Sequence, residues 1–463
     1  MKKIIALLLV FVMTLGLCAC SGFGNGDGKD AEGLQIGYAK INTTPKFQVG
    51  LAGYSDAETR KNTDGLTSYI YATCIAAKEG DETILLFTVD LIGINTSRAD
   101  ELSAAVAEAV GIPAEKMFFG ATHCHNAPED SGEYKSLLTE KVVEAAKGAL
   151  ADLAPATMSA ASTQAEGMTF VRHYKMSDGS YAGANFGDKT KGYAGHAADP
   201  DEEMIVVKFD RPEEKKDVLL VNFQSHTDRA KQIGYNMISA SWAGVLRDEL
   251  EAKSGCLTAY FTGASGNLNP DSEISEEKHN LDWKAYGQKL GQIAYDTMSK
   301  LQPVGGSGIA STTYTMDAEV DHSWDHMAAQ AREVYDLWKN TGKEAGDALG
   351  KTYGFSSSYQ ARAILSRSRM AATSSMEQGA FRIHNMGFIV GDYEMFCENG
   401  MAVKKSGIES GYDAVFVITG NKGYIPSEAA FNYRCYEADT GYFAKGTAEK
   451  LQNKFVDLLN SIK

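Results

Sequence analysis

Two histidines one residue apart are the sharpest chemical feature of this 463-residue chain, which contains nine histidines in all. They are His123 and His125, in Ala121-Thr122-His123-Cys124-His125-Asn126-Ala127-Pro128. An apolar run ending at Ala121 precedes them, so both are expected at the end of a strand. There, side chains at i and i+2 point to one face, and Cys124 between them to the other. Two imidazoles on one side of a strand end can share a metal, or one can bind metal while the other moves protons. A third histidine, His226, closes Leu219-Leu220-Val221-Asn222-Phe223-Gln224-Ser225-His226, just past a second strand of the buried type. Glu394 follows the apolar run Gly387–Val390, at what reads as the start of a helix. Two imidazoles and a carboxylate leave a position open on Zn²⁺ for water, a catalytic rather than a structural arrangement.

The elements that must hold these groups are legible as alternating strands and helices. Strands are expected at Tyr69–Ala77, Glu82–Asp90, Lys116–His123, Met204–Asp210, Val218–Gln224, Arg382–Val390 and Ala414–Thr419, several of them nearly continuous apolar runs. Helical periodicity marks Thr96–Val110, Tyr134–Leu153, Ala240–Lys253, Trp283–Leu301, Asp325–Asn340, Tyr359–Arg369 and Thr447–Ile462. The class is α/β, a layered sheet core covered by helices, in one large domain over residues 34–463. In such folds sites gather at strand ends, where neighbouring strands would bring His226 to the first pair. The Gly- and Tyr-rich stretch 178–198 reads as a long surface loop.

Composition narrows the function classes. With 44% hydrophobic and 23% charged residues the chain is an ordinary globular mixture, neither disordered nor collagen-like. Its formal net charge of -15, with no clustered basic stretch, argues against nucleic acid as a partner. Residues 1–19 read as a signal peptide: Lys2 and Lys3, an apolar stretch from Ile4 to Leu17, then Ala19 before Cys20. A small residue followed by Cys resembles the bacterial lipoprotein signal, which makes Cys20 the expected lipid attachment point. Residues 20–33 would then be the lipidated Cys and a flexible tether. The expected location is therefore the exported face of a bacterial membrane, held by that anchor. The remaining cysteines, Cys74, Cys124, Cys256, Cys397 and Cys435, are odd in number and irregularly spaced, so buried free thiols are expected rather than a disulfide framework.

The segment ATHCHNAP resembles the Thr-His-Thr-His-Ser-Gly-Pro signature of the neutral/alkaline non-lysosomal ceramidases. The likeness continues in order from about Ile36 to Asn453. IGYAKINTTP and GLAGY are similar to the opening motif of that family, and TFVRHYKMSDG to its loop carrying an arginine. VNFQSHTD with NMISASWAG, GASGNLNP, GDYEMF and NKGYIPSEAAFNYRCYEADT resemble its later motifs. Carried over residue by residue, the resemblance implies Zn²⁺ held by His123, His226, Glu394 and Tyr424. It implies His125, Arg172 and Tyr436 as their catalytic partners. At Asn269, in Gly266-Asn267-Leu268-Asn269-Pro270, the family has a serine implicated in catalysis. Asn is no nucleophile, though its amide donates and accepts hydrogen bonds. Residues 34–463 correspond to the metal domain of the family, with no counterpart of its C-terminal β-sandwich.

The function expected on this basis is a surface-tethered, zinc-dependent amidohydrolase that cleaves an N-acyl amide, a ceramide-like lipid, with metal-activated water. Asn269 keeps open a related zinc hydrolase of a different amide or ester. A solute-binding lipoprotein without catalysis is the alternative from another class.

Overall fold

The computed structural model describes residues 33–54, 59–274, 281–420 and 423–463. The expected signal segment 1–19, Cys20 and the tether as far as residue 32 lie outside the described residues.

Three sheets share one core, and each follows the same plan. The first runs in the order Met117–Ala121, Glu82–Val89, Tyr71–Glu79, Gln35–Asn42, Ala154–Pro155. The second runs Leu257–Thr262, Val218–Phe223, Glu203–Asp210, Thr157–Gln164, Gln302–Pro303. The third runs Ile309–Glu319, Thr373–Ile383, Met386–Gly391, Ala414–Thr419. Each sheet is antiparallel except for one parallel pair at an edge: Glu82–Val89 with Met117–Ala121, Val218–Phe223 with Leu257–Thr262, and Met386–Gly391 with Ala414–Thr419. A parallel pair needs a crossover, and helices Thr96–Val110, Ser241–Ser254 and Cys397–Glu409 supply the three. Caps set the first of these: the Asn95 side chain accepts from the Arg98 amide, and Gly111 ends the helix at φ 75.

The strand period of two sorts each sheet into an inner and an outer face. Ile75, Leu86 and Phe118 of the first sheet, Leu220 and Phe261 of the second, and Phe381, Phe388 and Phe416 of the third meet in one central core. Aromatic rings bridge the sheets there, Phe118 to Phe381 at 4.7 Å and Phe261 to Phe416 at 5.6 Å between centroids. Outer-face residues such as Cys74, Phe87 and Val89 pack instead under the helices Thr96–Val110 and Gly132–Ala151. Helices Ser241–Ser254 and Trp283–Thr297 cover the second sheet, and Cys397–Glu409 and Thr447–Ser461 the third. The approach of the first sheet to the third depends on Gly120, where an added Cβ would stand 2.6 Å from Ile418 Cγ2.

The structure corrects three expectations. Arg382–Val390 is not one strand: it spans the ends of two antiparallel strands joined at His384-Asn385, where His384 adopts φ 52. The stretch 178–198 is not simply a loop, because Tyr181–Gly183 and Tyr193–His196 flank His173–Met176 in a three-stranded sheet. Glu394 does not open a helix. It lies in a two-residue strand, Glu394–Met395, and the helix begins at Cys397. The five described cysteines are all buried and free. Among the described residues, no helix is long and apolar enough to cross a membrane.

Candidate functional site

The chain segments that leave the three parallel pairs converge on one point. His123 and His125 follow Met117–Ala121, His226 follows Val218–Phe223, and Glu394 follows Met386–Gly391. These strands belong to three different sheets, so the histidines do not come from neighbouring strands as expected. A parallel bridge, Cys124 to Thr227, joins the segments that leave the first two sheets. Nor does the pleat alone make His123 and His125 converge. His123 takes the left-handed conformation, φ 56, which turns the two rings to 81° with their Nε2 atoms 3.2 Å apart. Cys124 points away, its Sγ donating to the Ser239 carbonyl.

Donor atoms of His123, His125 and His226 all lie within 4.8 Å of one another. Glu394 Oε2 stands 3.6 Å from His123 Nε2 and 3.3 Å from His226 Nε2. Backbone carbonyls fix two of the rings from behind: Ile92 O lies 3.0 Å from His123 Nδ1, and Ser265 O and Leu268 O each lie 3.0 Å from His226 Nδ1. A proton on Nδ1 leaves Nε2 as a lone pair facing the centre. Burial, then the His226 ring, holds His123 well below the usual histidine range; burial, then the Arg172 guanidinium, does the same to His226. The neutral imidazole is the form that ligates metal. Glu394 Oε2 is buried with no hydrogen-bond partner among the described residues, a costly state for a carboxylate that a cation would relieve. The donor set therefore fits a divalent transition ion, imidazole being a poor partner for Mg²⁺.

A second network, built on the buried Arg172, His173 and Glu437, flanks this centre. Arg172 Nη1 lies 3.2 Å from His226 Nε2 and donates to Asn269 Oδ1 at 3.4 Å. Glu437, which has no exposed surface, accepts from Arg172 Nε at 2.7 Å and faces His173 Nε2 at 2.8 Å. Tyr433 in turn lies 3.0 Å from His173 Nδ1 through its hydroxyl. Tyr424 sits directly opposite Glu394 in the parallel pairing of Tyr424–Ile425 with Glu394–Met395. The Arg172 guanidinium lies over its ring at 5.4 Å. Tyr436 stands one ring further out, 5.9 Å from Tyr424, on the short helix Tyr436–Thr440. Burial pushes the Tyr436 phenol up to about 12 against the pull of Arg362 and Arg172, and burial, then Glu394, raises the Tyr424 phenol well above its ordinary value. Both phenols are hydrogen-bond donors near neutral pH. Asn269 is half-buried on a short ladder opposite Phe170.

Sequence reasoning missed the groups that hold this machinery in place. Arg172 and His173 are both buried, and Glu437, which the sequence did not single out, supplies the counter-charge 264 residues beyond His173. Nothing local in the sequence signals that pair. Asp90 was legible only as the acid that closes the buried strand Glu82–Val89. It accepts from both terminal nitrogens of Arg247, at 2.8 and 2.7 Å, and from Thr122 Oγ1 at 3.1 Å. One buried carboxylate thus ties the residue before His123 to the helix that covers the second sheet.

No family model matches the chain, and no curated protein matches it. Among solved structures, the neutral ceramidase from Pseudomonas aeruginosa superposes with a TM-score of 0.68 at 16% identity, over 93% of this chain and 74% of that one. A ceramidase complexed with C2 gives a TM-score of 0.68 at 15% identity, over 92% of this chain and 75% of that one. This likeness is one of fold.

Proposed function

We propose that this chain is a metal-dependent amidohydrolase that cleaves an N-acyl amide, with Zn²⁺ as its ion. The observation that carries the reading is the cluster of His123, His226 and Glu394 around an unpartnered, buried carboxylate oxygen, with Arg172 beside it. In this reading His123, His226, Glu394 and Tyr424 hold the ion, which when bound supplies a Lewis acid and brings the pKa of a water to near neutrality. Arg172 and Tyr436 present donors to the carbonyl oxygen as it gains negative charge, in a pocket where such donors act without solvent reorganisation. His125 passes a proton to the departing nitrogen, so that amide and water become carboxylic acid and amine. Asn269, held by Arg172, contacts the part of the substrate next to the scissile bond.

An N-acyl lipid is the substrate class favoured by the resemblance of the motifs and by the likeness of fold. Asn269 favours a head group different from that of the serine-bearing ceramidases, because an amide and a hydroxyl satisfy different partners. Elemental analysis of protein never exposed to chelator, together with turnover on a panel of N-acyl lipids, tests the proposal. One equivalent of zinc per chain and chelator-sensitive amide cleavage are expected. A metal-free protein with full activity overturns it. We also propose that Cys20 carries a lipid that holds the enzyme at a membrane surface. Mass spectrometry of membrane fractions should find a diacylglyceryl adduct that Cys20→Ser abolishes.

A further inference from the structure

His125 differs from the other two histidines in what stands behind it. His123 and His226 rest their Nδ1 atoms on backbone carbonyls. His125 Nδ1 is buried and makes no hydrogen bond among the described residues, and it faces a carboxylate instead, Asp228 Oδ2 at 3.7 Å. Asp228 is itself held. The Tyr54 hydroxyl donates to its Oδ1, and the Ala230 amide donates to the same oxygen at 3.4 Å. The Tyr54 ring then packs edge-on against the His125 ring, with centroids 5.4 Å apart. Arg60 closes the frame: its Nη1 donates to the carbonyls of Ala52 and His125 at 2.8 Å each, and its guanidinium lies over Tyr54 at 4.9 Å. Gly53, at φ 99, covers the remaining side, where a Cβ would come within 2.6 Å of His125 Nδ1.

We infer that Asp228 is the positioning carboxylate of His125, fixed by Tyr54, and that it sets which ring nitrogen of His125 faces the reacting centre. The inference rests on the proposed acid–base role of His125. A carboxylate behind an imidazole keeps the proton on the near nitrogen and so leaves the far one, here Nε2, as the working atom. The gap of 3.7 Å exceeds a hydrogen bond, and catalytic contacts of this kind tighten once substrate is bound. Asp228 is a third exposed, which sets the dyad at the solvent edge of the site. The chain order makes the arrangement economical: Asp228 is two residues past His226, so one turn delivers both a proposed ligand and the partner of the proton-transfer group.

Two measurements on the zinc-loaded protein test this. The first uses ¹⁵N-histidine NMR without substrate. His125 should be protonated at Nδ1 in the parent, and Asp228→Ala should remove that tautomer preference while leaving the other histidine signals and the zinc content unchanged. The second follows hydrolysis of whichever fluorescent short-chain N-acyl amide, ceramide included, the parent turns over fastest. Asp228→Asn should lower kcat by about 10²-fold with KM within about threefold, Asp228→Glu should restore part of it, and Tyr54→Phe should give a smaller loss of the same kind. In a His125→Ala background, Asp228→Asn should cost nothing further. An unchanged His125 tautomer in Asp228→Ala, or a full additional loss in the His125→Ala background, overturns the inference. If His125→Ala itself leaves kcat unchanged, the acid–base role has failed instead, and the NMR result still decides whether Asp228 orients the ring.

Discussion

Replacing Glu437 with Gln should destabilise the protein by about 3–5 kcal/mol, because it strands a buried guanidinium. The carboxylate has no exposed surface, and the Arg172 side chain facing it is only 7% exposed. Arg172 Nε and Nη2 reach the same oxygen at 2.7 and 2.5 Å, and His173 reaches the other at 2.8 Å. With charge centres about 4 Å apart and an effective dielectric of about 20, the attraction removed is about 4 kcal/mol, in line with measured losses from breaking one side of a buried pair. Gln preserves the volume and one acceptor, so the effect isolates charge. Urea unfolding of zinc-loaded parent, Glu437→Gln and Arg172→Met/Glu437→Gln is the assay. The double variant should recover part of the loss, since it no longer buries an unpaired cation. The pH dependence has a definite sign. Burial alone would raise the Glu437 carboxyl, but His173 and then Arg172 overcome it and hold the group well below the usual carboxylate range. Its contribution is therefore present in full above the unfolded pKa of about 4.3 and is lost as pH falls from there through the lower folded value. The gap between parent and Glu437→Gln should be constant at neutral pH and narrow below about pH 4. A Glu437→Gln midpoint equivalent to less than about 1 kcal/mol, or a double variant no more stable than the single, refutes the reasoning.

Other changes separate the remaining roles. His123→Ala and His226→Ala should each release the zinc, whereas His125→Ala should keep it and lose about 10²–10⁴ in turnover; zinc lost in step with activity would make His125 a ligand. Gly120→Ala should cost about 1–3 kcal/mol in unfolding free energy, since the new methyl meets Ile418 Cγ2 at 2.6 Å and the first and third sheets must part. Asn269→Ser should raise kcat/KM for ceramide relative to another N-acyl amide that the parent cleaves better; equal ratios in both proteins would show that Asn269 carries no specificity.

The limits of the sequence reading follow from what local pattern encodes. Continuous apolar runs such as Glu82–Val89 and Ala414–Thr419 identify buried strands, and a polar residue type just beyond such a run identifies a strand end. That is enough to single out His123, His226 and Glu394. Pattern does not say which sheet a strand joins, because a strand covered on both faces reads the same in any of them. Hence the layered sheet core covered by helices is legible, as found, but its division into three sheets is not. Backbone turns at non-glycine residues are equally silent: His123 and His384 both adopt positive φ, which residue type does not announce. The longest-range pairs leave no local trace at all. Arg172 with Glu437, and Asp90 with Arg247, join residues 265 and 157 positions apart, and each is invisible until the fold brings them together.

The left-handed turn at His123 explains why the imidazoles can crowd so closely. In an extended strand, residues i and i+2 are about 6.7 Å apart with parallel side chains, too far and too uniform to aim two Nε2 atoms at one point. Rotating His123 to φ 56 costs about 1–2 kcal/mol for a residue with a Cβ. The end of the first sheet clamps it from both sides. The Thr122 amide donates to Val89 O at 2.9 Å and the Cys124 amide to Leu91 O at 2.8 Å, so hydrogen bonding to the neighbouring strand and its exit loop continues past the turn. The next carbonyl in line, Ile92 O, takes the His123 ring itself. The segment 89–92 therefore supplies both the restraint on the strained backbone and the acceptor that orients the ring. Strain of this kind persists only where its surroundings over-determine it, and here they do so at the residue that must face two other imidazoles and a carboxylate at once.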